Sequence, residues 1–82
     1  MRTKAKVVGI GMRKSGTRKD GSKYDFTTLH LVYPDKDTEG LAAACPGVDQ
    51  SILDCIPMPK VNDEIEIFYH ISNFSMKVDG IL

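Results

Sequence analysis

The chain has 82 residues, 41% of them hydrophobic and 27% charged, with a formal net charge of zero, two Cys, two His and no Trp. That length allows one domain, residues 1–82, with a single small core, and leaves too little chain for an elaborate catalytic cleft. No apolar run is long enough to cross a bilayer and no signal-peptide pattern is present, so the sequence reads as that of an intracellular protein.

The zero net charge conceals an asymmetry. Through Lys23 there are eight basic residues (Arg2, Lys4, Lys6, Arg13, Lys14, Arg18, Lys19 and Lys23) against Asp20 alone, +7, which leaves −7 for the remainder. Such a split predicts one basic face turned toward a polyanion, with an acidic remainder that limits indiscriminate association.

In chain order, Lys4 to Met12 reads as a first strand with Val7, Val8, Ile10 and Met12 as its apolar positions. Gly9 and Gly11 interrupt it, which in a strand predicts a bulge or sharp coil that lets a sheet curl. From Arg13 to Lys23 the chain carries five basic residues on a Gly-punctuated run. Asp20-Gly21 predicts a tight primed turn, and Ser15-Gly16 offers a second place to bend. The arms have little apolar surface, so the sequence predicts a projecting basic hairpin. Its cations repel one another, and an anionic partner would relieve that.

Tyr24 to Tyr33 is the second strand, stopped by Pro34. Alternation puts Tyr24, Phe26 and Thr28 on one side and Asp25, Thr27, Leu29, Leu31 and Tyr33 on the other. Leu29 and Leu31 are core candidates, which leaves Tyr24 and Phe26 facing outward beside the basic hairpin. Pro34 to Gly40 is a polar loop. Leu41 to Cys45 fits a helix or a third strand equally well. Asp49 stands in an N-cap position before a single helical turn ending near Asp54, and Ile56 to Lys60 is an extended connector. A turn at Val61-Asn62-Asp63 leads into Glu64 to Tyr69, with Ile65, Ile67 and Tyr69 inward. His70 to Ser75 is a loop or hairpin, and Met76 to Leu82 is the last strand, with Met76 and Val78 inward.

Five short strands, a glycine-coiled first strand and hardly any helix predict an all-β protein: a five-stranded, OB-fold-like small barrel with a projecting basic β-hairpin. An SH3-like barrel is the alternative. Cys45, Cys55, His30 and His70 do not have the spacing of metal ligands, so buried free thiols are expected, with no metal and no cofactor. No nucleophile and base arrangement is evident, Glu64 and Glu66 fall on an exposed strand face, and no phosphate-cradling loop precedes a helix, so an enzyme is not expected.

Flat rings beside ammonium and guanidinium groups are what single-stranded nucleic acid binding uses. Bases stack on the rings while the cations track the phosphates. The candidate binding residues are therefore Arg13, Lys14, Arg18, Lys19, Lys23, Tyr24 and Phe26.

At Ser15-Gly16, Lys19, Gly21 and Tyr24 the sequence resembles the gene five protein family of filamentous-phage single-stranded-DNA-binding proteins and its relatives on phage-like and conjugative elements. In that family a projecting DNA-binding wing has Ser-Gly, a basic residue, a Gly, and a Tyr opening the next strand. Asn73 to Asp79 looks like the family's second loop and the strand after it. The resemblance implies an OB-fold homodimer that coats single-stranded DNA in a bacterial host cytoplasm with little sequence preference. It implies that Lys14 and Lys19 contact phosphates, Tyr24 stacks on a base, Phe26 faces DNA, and Phe74 is a loop-tip aromatic. The sequence departs from the family in a shorter loop around Phe74, in Gly80 where a basic residue is expected, and throughout Leu41 to Pro59. An RNA-binding OB domain and an OB-type protein-interaction module are the other readings left open.

Overall fold

The computed structural model describes residues 1–82. Seven antiparallel strands and one helical turn follow in the order β1 (Arg2–Ile10), β2 (Lys14–Thr17), β3 (Lys23–Pro34), β4 (Leu41–Ala44), β5 (Gly47–Asp49), α1 (Gln50–Leu53), β6 (Glu64–Ser72) and β7 (Ser75–Ile81). The fold is nearly all β, a sheet curled into a small barrel-like form that is not closed.

The seven strands reduce to five continuous runs. β1 and β2 both pair with the same edge of β3, from Lys6↔Val32 to Thr17↔Lys23, and the Gly11 N–H donates to the Thr28 carbonyl (2.8 Å) in the gap between them. β4 and β5 run along the other edge of β3, from Pro34↔Leu41 to Phe26↔Asp49, and the Leu29 N–H donates to the Pro46 carbonyl (3.0 Å) across their break. Pro46 has no N–H to give, which accounts for the interruption. Leu41 to Ala44 is therefore strand, not helix, because the β3 edge supplies partners that outweigh alanine's local preference.

The first strand bends where its glycines predict. The β1–β3 register shifts between Val7 and Gly9, and the His30 ring lies against Gly9, where a Cβ would stand 3.3 Å away. The bend lets the N-terminal half of β1 leave β3 and pair with β6, from Arg2↔Phe68 to Lys6↔Glu64. β6 then turns back into β7.

Alternation drives the core. Ala5 and Val7 of β1, Leu29 and Leu31 of β3, Val48 of β5, Ile67 of β6, and Met76 and Ile81 of β7 are buried together. Leu53 joins them from α1, which packs against β3, β5 and β7 and covers the seam where β5 and β7 meet without a ladder. The Asp49 carboxylate caps that turn by accepting from the Ser51 N–H (2.9 Å), as an Asp before a short helix should. Ile65 and Val78 pack on the core from its margin, and Tyr69 is half-buried against Tyr33, at 6.4 Å between ring centroids, so Tyr69 is a rim residue and not a core one.

Both cysteines are free and both are exposed, which corrects the expectation of buried thiols. The sheet faces that remained for the core were filled by aliphatic side chains, and Cys45 and Cys55 fell at the ends of β4 and α1 instead. No group of three or more His, Cys, Asp or Glu gathers at metal-binding distance, and no helix is long and apolar enough to cross a membrane.

Candidate nucleic-acid interface

The basic hairpin is formed by β2 and the first residues of β3. Its turn is not the primed type. The Gly21 N–H donates to the Arg18 carbonyl (3.0 Å) and the Arg18 N–H to the Ser22 carbonyl (2.7 Å), and only Gly21 has a positive φ, +90°. This is a type I turn followed by a left-handed glycine, the usual three-residue hairpin. Asp20 stabilises it from within: Oδ1 accepts from the Ser22 N–H (2.9 Å) and hydroxyl (2.6 Å), and these bonds hold the Asp20 carboxyl below the usual carboxylate range. The acid in this loop therefore secures the turn first, through Ser22, and attracts Arg18 second.

Gly16 does not bend the chain either. It lies within β2 as the Cα partner of Tyr24, and the Tyr24 ring is laid across it. A Cβ at Gly16 would stand 2.6 Å from the Tyr24 hydroxyl oxygen and 2.8 Å from Cζ. Phe26 is seated the same way on the other edge of β3: a Cβ at Gly47 would be 2.9 Å from Phe26 Cδ2. The two glycines make room for the two rings to lie along the sheet. Tyr24 and Phe26 are accordingly half-buried, with centroids 6.0 Å apart and planes inclined at 42°.

Cations surround this pair. The Arg18 guanidinium carbon is 5.5 Å from the Tyr24 ring centroid, within cation–π range. Lys14 is the Cα partner of Phe26 and projects on the same face. Lys23 and, from β7, Lys77 line the groove of about 370 Å³ that runs beside the rings, together with Arg18, Asp25 and Asp49. Lys19 sits at the hairpin tip, fully in solvent. None of Lys14, Arg18, Lys19, Lys23 or Lys77 forms an ion pair: Arg2 pairs with Glu66 and Arg13 with Asp25, while His70 Nδ1 is hydrogen-bonded to Asp79.

Arg13 is the exception among the predicted basic residues. Asp25 alternates to the side of β3 away from Tyr24 and Phe26, and Arg13 meets it with two hydrogen bonds, Nε to Oδ1 (2.8 Å) and Nη2 to Oδ2 (2.5 Å). The Arg13 hydrogen bonds depress the Asp25 pKa, and the same bonds raise that of Arg13. The structure thus satisfies the Arg13 charge locally, at a carboxylate that borders the ring groove.

Phe74 belongs to the other hairpin. β6 and β7 are joined by two residues, Asn73 and Phe74, between the paired Ser72 and Ser75, and both have positive φ, 51° and 62°. That is the backbone of a type I′ turn, which strongly favours Gly at its second position. A bulky residue there is strained. Phe74 buries nothing in return, being fully exposed. Its side chain borders a depression of about 240 Å³ with Ala43, Cys45, Pro46 and Met76. No residue is shared between that depression and the ring groove, so Phe74 stands apart from the Tyr24–Phe26 pair.

Another depression of about 370 Å³ lies by Lys4, Lys6, Tyr33, Pro34 and Leu41. Its one ring, Tyr33, packs on Tyr69 and against the core, and no glycine lies under it as Gly16 and Gly47 lie under Tyr24 and Phe26. Of the residues expected from the sequence, the structure gathers Lys14, Arg18, Lys23, Tyr24 and Phe26, whereas Phe74 stands apart in the β6–β7 turn. Gly47, Asp49 and Lys77 complete the site without having been singled out for it, and Gly16, noted only as a bend and as part of the Ser-Gly motif, serves it as the seat of a ring. A glycine facing an aromatic across a ladder was the available signal for Gly16, whereas the β5 and β7 residues depend on a long-range closure with no local mark.

Comparison with protein families, curated proteins and solved structures gave no match.

Proposed function

We propose that this chain binds single-stranded nucleic acid, DNA in the first instance, with little preference for sequence order. The observation that carries the reading is the Tyr24–Phe26 pair seated over Gly16 and Gly47 and flanked by Lys14, Arg18, Lys23 and Lys77, all without acidic partners. Rings laid on a sheet expose a face on which bases stack, and unpaired cations beside them follow the phosphates. The family resemblance supports the same reading. It adds the proposals that the protein acts as a homodimer coating single strands inside a bacterial cell, and that it does so without catalysis.

The test is a titration of tyrosine fluorescence, from the three Tyr and no Trp of the chain, with oligo-dT, oligo-U and duplex DNA at two salt concentrations. Strong quenching by oligo-dT, a weak response to duplex and a steep loss of affinity with salt are expected. Preference for oligo-U would reassign the natural ligand to RNA. No response to any of the three would overturn the reading in favour of a protein-interaction module whose basic hairpin meets an acidic partner.

A further inference from the structure

Two carboxylates line the ring groove, Asp25, which Arg13 neutralises, and Asp49, which phosphate binding leaves unexplained. Asp49 is the Cα partner of Phe26 across β3 and β5, and it lines the groove together with Arg18, Lys23 and Lys77. Its Oδ1 accepts from both the Ser51 N–H (2.9 Å) and the Ser51 hydroxyl (2.7 Å), which fixes the side chain as the cap of α1. Oδ2 accepts no hydrogen bond, and no lysine or arginine pairs with the carboxylate. Asp25 differs, because Arg13 occupies both of its oxygens. The Ser51 bonds also hold the Asp49 carboxyl below the usual range, so it is ionised at neutral pH.

A carboxylate repels phosphate, so a groove that served phosphates alone would be better without it. What it takes up is an N–H donor. On nucleic acid bases the prominent donors are the exocyclic amino groups of cytosine, adenine and guanine, whereas thymine and uracil flank their single N–H with two carbonyl oxygens. A base stacked on Phe26 or Tyr24 would bring its edge to the neighbouring strand, where Asp49 stands.

We propose that the free Asp49 Oδ2 accepts a hydrogen bond from the exocyclic amino group of a base stacked beside it, biasing this binder toward amino-bearing bases over thymine and uracil. The inference rests on the nucleic-acid reading above and adds a compositional preference to it.

The experiment compares labelled oligo-dC and oligo-dT of equal length, at one salt concentration and neutral pH, by fluorescence anisotropy. The wild-type chain should bind oligo-dC about tenfold more tightly, the discrimination expected of one good base contact. Asp49→Ser keeps an N-capping oxygen and removes the reach and the charge, so the ratio should fall toward one through lost affinity for oligo-dC, with oligo-dT held equally or better. Asp49→Asn keeps an uncharged acceptor and should give an intermediate ratio; it decides the matter if thermal melting shows that Asp49→Ser does not fold. Equal wild-type affinities, or a shift of both homopolymers by the same factor in either variant, would overturn the proposal. In that case a loss of both affinities in Tyr24→Ala would show that the nucleic-acid reading stands. Binding of neither homopolymer by the wild-type chain would overturn both.

Discussion

The two exposed hairpins carry their aromatic residues in opposite ways. In the β2–β3 hairpin the turn is relaxed: Gly21 takes the one left-handed position, Asp20 stitches the loop, and the rings lie down over glycines away from the tip. The cost there is electrostatic, in four cations, Lys14, Arg18, Lys19 and Lys23, with no acidic partner. In the β6–β7 hairpin His70 is hydrogen-bonded to Asp79, and a phenylalanine holds the position that suits glycine, wholly in solvent. The cost there is backbone strain. Within the chain only Arg18 finds relief, from the Tyr24 ring and from Asp20, and on the proposed reading a polyanion carrying flat rings would offset both costs.

The largest effect should come from the ring at the centre of the first hairpin. Tyr24→Ala is expected to weaken binding to any single strand by about 1–3 kcal/mol, measured by titration with oligo-dT. Gly16→Ala tests whether the ring's posture matters as well as its presence. The Tyr24 hydroxyl would lie 2.6 Å from the new Cβ, so the ring must lift from β2. Gly16 carries no positive φ, so an alanine there removes unfolded-state freedom without straining the backbone. The melting temperature should hold while affinity falls several-fold. A variant that bound normally would show that the rings are packing elements only.

Phe74→Gly separates the two hairpins most sharply, because stability and binding should move in opposite directions. Relief of the left-handed strain, less the added flexibility of glycine, should stabilise the fold by up to about 1 kcal/mol, or about 4–8 °C in Tm for a domain of this size. Affinity for oligo-dT should fall as one stacking face is lost. A rise in Tm with unchanged binding would leave the aromatic at this turn without a function, and would confine the interface to the β2–β3 hairpin.

Much of this was legible in the chain because it is local. The outward placement of Tyr24 and Phe26 and the inward placement of Leu29 and Leu31 follow from alternation alone, and Gly9 marks the bend of β1. The Asp49 cap reads directly from its position before Gln50-Ser51. What was not legible depends on pairing across the sheet. That Gly16 underlies a ring instead of bending the strand is a fact about its partner on β3, and that Gly47 does the same for Phe26 is a fact about β5. Arg13 looked like its basic neighbours until the alternation of β3 turned Asp25 toward it. The turn type at Asp20-Gly21 depended on hairpin register, which composition does not fix.

The smallest effects concern single charges, and they divide the basic residues by whether they are free. Lys19 lies at the hairpin tip with no partner, so Lys19→Ala should leave Tm unchanged and flatten the dependence of log affinity on log salt by about 0.7, one phosphate contact on a single strand. Arg13 is bound to Asp25, so Arg13→Ala should change the slope little. Asp25→Asn should do the reverse of Lys19→Ala, releasing Arg13 and steepening the salt dependence. The linkage with pH has the same origin. Asp25 titrates below the ordinary carboxylate range in the folded chain, so the stability it contributes is present above that range and is lost as pH falls through the depressed value. On acidification, melting curves of the wild-type chain should drop slightly more than those of Asp25→Asn, the contribution being small because the pair is exposed. Identical acid profiles for the two would mean that the Arg13–Asp25 contact does not persist in solution. Arg13 would then join Lys14, Arg18, Lys19 and Lys23 as a cation available to phosphate.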